Sequence, residues 1–106
     1  MDYEKLTKDL ATAKRDTMLA IMNDNDDGGT CNFDTPILLL KGVRMNKLES
    51  AAVNAGVRIS KWGTGYYHIN GDFLCGQGNI RTKCAETFAK SLRSNGWEAY
   101  VYYAMD

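Results

Sequence analysis

Residues 79–95 carry the pattern that most limits the fold. Cys84, Ala85, Phe88 and Leu92 recur at helical spacing and make one apolar stripe. Asn79 stands where an N-cap is expected, because its side-chain oxygen can accept from free backbone N–H groups. Asn95-Gly96 ends the helix, since either residue tolerates the left-handed conformation of a C-cap. Strand-like segments flank it, residues 65–70 before and 97–105 after. A glycine-rich loop, residues 71–79, joins the first of these to the helix. A chain with this strand–loop–helix–strand unit must lay a helix on a sheet.

The rest of the chain extends that unit. In residues 2–22, Tyr3, Leu6, Leu10, Ala13, Thr17 and Ala20 follow a 3–4 spacing, and Met18, Ile21 and Met22 widen the apolar face. The helix they predict is about 30 Å long. Ala13, Thr17 and Ala20 are weak seam residues, so packing on its own domain or at a dimer interface is expected rather than an extended coil. The polar run from Asn23 to Gly29 ends this helix as an acidic linker. Ile37-Leu38-Leu39-Leu40, after Pro36, suits a strand in the middle of a sheet. Asn46, with Glu49 three residues on, predicts a capped second helix with Leu48, Ala51, Ala52 and Ala55 on one face and Gly56 at its end. Residues 57–62 alternate, Gly63-Thr64-Gly65 turns, and residues 66–70 return, which is a hairpin signal. In the last strand, residues 97–103, Trp97, Ala99, Val101 and Tyr103 share one face, and Glu98, Tyr100 and Tyr102 the other.

The order after the linker is β-α-β-β-α-β, the ferredoxin-like pattern. It predicts an α+β fold: a four-stranded antiparallel sheet, both helices on one face, and the first and third strands central. The expected organisation is an amphipathic helix over 1–22, an acidic linker over 23–31 and a βαββαβ unit over 32–106, forming a single compact domain. The N-terminal helix is expected either to cover the open sheet face or to leave it to a partner.

Charge and cysteine content narrow the function classes. Thirteen basic and thirteen acidic residues cancel over 106 residues, which argues against a dominant nucleic-acid face. No apolar run approaches membrane-span length, and the N-terminus lacks the apolar core of a secretion signal. Cys31, Cys75, Cys84 and the single His68 have no metal-ligand spacing, so reduced thiols in a cytoplasmic protein without metal or cofactor are expected.

Four constellations of residues bear on chemistry. Gly76, Gln77, Gly78, Asn79, Arg81 and Lys83 put glycines, a helix N-terminus and two cations together, which suits a phosphate or carboxylate, although neither a Walker A nor a dinucleotide fingerprint is present. Asn23, Asn25, Asp27, Gly28 and Asp34 follow the spacing of a calcium loop, with Asn at its first position and Asp where a bidentate Glu is needed. His68, Asp72 and Cys75 contain the residue types of a nucleophile set, with nothing to fix their geometry. Trp62, Tyr66, Tyr67, Trp97, Tyr100, Tyr102 and Tyr103 form an aromatic surplus that suits a protein interface. RNA stacking is disfavoured, because the first strand offers only aliphatic residues.

The expected function is therefore a small non-catalytic binding protein acting through protein–protein contacts as an inhibitor, adaptor or subunit, with Tyr66, Tyr100 and Tyr102 at the interface. Homo-oligomers are expected among its assemblies. A phage or mobile-element protein that antagonises a host defence enzyme is one setting of this kind. The alternative is a phosphate, nucleotide or nucleic-acid binding module that uses residues 76–83.

Overall fold

The computed structural model describes residues 1–26 and 28–105. The elements run α1 (Tyr3–Ile21), β1 (Thr35–Leu39), α2 (Met45–Ala55), β2 (Arg58–Gly63), β3 (Tyr66–Asn70), α3 (Asn79–Ser94) and β4 (Glu98–Tyr102). The strands form one antiparallel sheet in the order β2-β3-β1-β4, so the first and third strands are central. The fold is α+β with an N-terminal helix.

Alternation decides which side of the sheet each residue faces. Leu38, Tyr67, Ile69 and Ala99 point to the helices and are buried with Leu48 and Ala52 of α2 and with Cys84, Phe88 and Leu92 of α3. Phe73, from the loop after β3, stacks on Phe88 with ring centroids 4.2 Å apart. α2 lies over β2, and α3 lies over β1 and β4.

α1 is part of this core. It packs against both α2 and α3, and among the described residues its backbone stays clear of the strands. Leu6, Leu10, Ala13 and Thr17 are fully enclosed on its inner face. The helix therefore fills the space between the other two, and among the described residues no element packs on the opposite sheet face. Asp9 is buried on the same stripe because it accepts from Lys5 Nζ at 2.6 Å and from Trp97 Nε1 at 2.8 Å.

Both N-cap assignments need correction. Asn79 is the first helical residue of α3, and Gly78, with φ of 58°, takes the cap position without a side-chain bond. The Asn79 side chain instead donates to Asp26 Oδ2 at 3.1 Å. Its backbone N–H donates to Gly28 O at 3.0 Å, so the linker supplies the missing acceptor. A Cβ on Gly78 would collide with that same carbonyl oxygen, which only glycine avoids. α2 begins at Met45, one residue before Asn46, with Arg44 as its cap. Tyr3 Oη accepts from Arg44 N at 2.9 Å, which fixes the earlier start and leaves the Asn46–Glu49 box unformed. At the other end of α2, Gly56 is left-handed as expected, and Val57 N–H donates to Ala52 O.

Candidate functional site: the aromatic face of the sheet

The register of the sheet assembles the face opposite the helices. Ile37 of β1 pairs with His68 of β3 on one side and with Tyr100 of β4 on the other. Ser60 of β2 pairs with His68, and Tyr102 of β4 pairs with Thr35. Leu39 sits between Tyr66 and Glu98. The expected interface residues Tyr66, Tyr100 and Tyr102 therefore lie together on this one face, whereas Tyr67 is buried on the helix side.

A residue outside the expected set organises the face. The β2–β3 register shifts between Lys61 and Gly63, so Trp62 is the extra residue of a bulge. A bulge re-aims a side chain. Trp62 starts on the β2 edge, and Tyr102 starts on the β4 edge three strands away, yet their ring centroids are 4.7 Å apart. Trp62 also meets Tyr66 edge-on at 6.2 Å and His68 at 5.2 Å. Ile37 is only 3% exposed, although no element packs over it among the described residues. Alternation over residues 57–62 groups Trp62 with Arg58 and Ser60, but nothing in it reveals the bulge.

His68 sits inside this cluster. Its Nε2 is buried and meets no hydrogen-bond partner among the described residues. Burial pushes its pKa below the ordinary 6.5, so the ring is held neutral. The outer parts of the rings remain available: Tyr100 is 52% exposed and Trp62 46%. The strand positions on this face carry one cation, Arg58, and one anion, Glu98. Tyr100 Oη approaches Glu98 Oε1 at 3.4 Å. A groove bordered by Leu39, Val43, Tyr66, Lys41 and Lys61 continues the face at its Glu98 end.

The loop at residues 76–83 is engaged by the chain itself. Arg81 Nε donates to Asp34 O at 2.9 Å, and Lys83 Nζ pairs with Asp24 at 2.8 Å. Gln77 Oε1 faces Cys31 Sγ at 3.1 Å. Gly78 O accepts from Asn32 Nδ2 at 3.0 Å. With Gly28 O on the Asn79 N–H, the start of α3 is covered by Asp24, Gly28, Asn32 and Asp34. Gly76 has a left-handed backbone, and a Cβ there would run into the Ile80 side chain.

The other constellations are not brought together. Asp34, the last position of the calcium spacing, is buried, and its carboxylate accepts from Thr82 Oγ1 at 2.6 Å and from Ala104 N at 2.9 Å. Asp27, a middle position of that spacing, lies outside the described residues. Among the described residues no group of three or more His, Cys, Asp or Glu side chains converges on a common point suited to a metal. Asp72 is exposed and pairs with Lys14 of α1 at 3.2 Å, on the helix side of the sheet and away from His68. Cys84 is buried in α3, where desolvation pushes its thiol pKa up to about 11, and all three cysteines are free. No helix among the described residues is long and apolar enough to cross a membrane. Searches with the chain against protein-family models, curated proteins and solved structures find no match.

Proposed function

We propose that the chain is a non-catalytic, cytoplasmic binding protein of ferredoxin-like architecture that docks a protein partner on its aromatic sheet face. One observation carries the reading: an uncovered face with four partly exposed rings, Trp62, Tyr66, Tyr100 and Tyr102, around a neutral centre. Protein interfaces have this composition, with aromatic anchors at the core and charge kept to the rim. A single-stranded nucleic acid stacks on similar rings but needs a basic track for its backbone, and the strand positions of this face carry one arginine and one glutamate at opposite corners. The inhibitor, adaptor or subunit role follows from the same surface. The anion-binding alternative at residues 76–83 has weaker support, because Arg81, Lys83 and the Asn79 N–H already have partners within the chain.

Site-specific photo-cross-linking tests the reading. A benzophenone side chain at position 100 is expected to capture a protein in cells that make the chain, and the same group at the exposed position 90 on α3 is not. In the chain that carries the benzophenone at position 100, Tyr66→Ala with Tyr102→Ala should abolish the capture while the circular dichroism spectrum stays unchanged. Equal capture from both positions, or capture that survives the double substitution, would overturn it.

A further inference from the structure

We infer that the partner docked on the aromatic face is a second copy of this chain, in a symmetric dimer whose two-fold axis runs along the line from Trp62 to Tyr102. This rests on the reading of the face as a docking surface and adds the identity of its occupant.

The corners of the sheet supply the reason. Arg58 opens β2, one edge strand, and pairs with Asn70 at the end of β3. Glu98 opens β4, the other edge, beside Leu39, which pairs with Tyr66 at the start of β3. The two charges therefore occupy diagonally opposite corners of the face. Strand spacing of about 4.8 Å and a rise of about 3.3 Å per residue put them roughly 20 Å apart. The remaining diagonal runs from Trp62 to Tyr102, whose rings lean together at 4.7 Å. Laying one such face on its copy about that diagonal exchanges the charged corners. Arg58 of each chain then meets Glu98 of the other, twice over, and the rings meet their own copies along the axis. A symmetric interface must be self-complementary in this sense. One cation and one anion at exchanged corners meet that requirement, whereas two like charges would not.

The size of the face sets the strength. Four strands of about five residues project an area on the order of 300 Å². Even with side-chain relief this stays under the ~800 Å² per partner of a standard interface. The dimer is accordingly weak and dissociates on dilution.

The test uses the full chain in sedimentation velocity over a range of concentrations. The wild type is expected to show a reversible monomer–dimer equilibrium in the micromolar range or weaker. Arg58→Glu and Glu98→Arg should each be monomeric, because each sets like charges against each other at both corners. An equimolar mixture of the two variants should dimerise again, and so should the chain that carries both substitutions. Both positions are exposed strand ends, so circular dichroism should show the native fold in every variant. A dimer that persists in both single variants overturns the inference in favour of another surface, such as the exposed Met18, Leu19 and Met22 on α1. A monomer at every concentration overturns it as well. The cross-link from position 100 separates the two levels: its own copy supports the dimer, a different protein overturns the dimer and keeps the docking surface, and nothing captured, or a nucleic acid, overturns both.

Discussion

His68 combines two properties that normally exclude each other, a polar nitrogen and a place under aromatic rings. Its Nε2 has no partner, and a charged imidazolium there would lose its hydration without compensation. The folded pKa lies below the ordinary 6.5. Between those two values the unfolded chain binds a proton that the folded chain does not. Stability from this residue is therefore fully present above the ordinary value and declines as pH falls through that window. Unfolding free energies measured in urea at about pH 7.5 and about pH 5.5 should show a drop in the wild type. His68→Asn should make that drop smaller, since the remaining carboxylates titrate mostly below the window. A variant with an undiminished drop would show that His68 is not its source. None of this was legible in the sequence, where a lone histidine in a strand gives no sign of what lies above it. The burial of Asp34 and Asp9 was hidden for the same reason. Each is an acid on an otherwise apolar or structural position, and each is satisfied by residues far away in the chain, Ala104 and Trp97.

At the level of elements, local signals were enough to place helices and strands, because spacing and turn residues act over a few positions. The hairpin of β2 and β3, the stripe of α3 and the left-handed Gly56 all follow from such signals. The cap errors at Asn79 and Asn46 came from partners outside the element: Gly28 O closes the start of α3, and the Tyr3 hydroxyl holds Arg44. The role of α1 was hidden likewise. Its 3–4 spacing announces a buried stripe but not the space between α2 and α3 that the stripe fills. That location has a consequence. Leu10→Ala should cost about 2–5 kcal/mol, the range for a large-to-small change at a fully enclosed site. Removal of residues 1–22 should abolish cooperative thermal unfolding altogether, because it strips one wall from the core. A truncated chain that melts cooperatively near the wild-type temperature would mean that α1 is an appendage.

For the molecule as a whole, the sheet separates two jobs. One side carries the core, with Phe73 stacked on Phe88 and both enclosed. The other carries rings that are only partly covered, yet they bury Ile37 beneath them. The second side thus has some character of a core, and the question is how much of the stability resides there. Phe88→Ala should cost about 3–5 kcal/mol, since it empties a closed space. Trp62→Ala removes three ring contacts, each worth about 0.5–1.5 kcal/mol when well formed, but from a half-exposed position where water replaces part of the loss. Its expected cost is about 1–2 kcal/mol. Tyr100 has more than half its surface in solvent, so Tyr100→Ala should stay within about 0.5 kcal/mol. Urea unfolding of the three variants checks the order. If Trp62→Ala proves as costly as Phe88→Ala, the bulge at Trp62 exists to close a second core. If the order holds, the rings stand on a face whose removal the fold tolerates, as expected of side chains kept for what they bind.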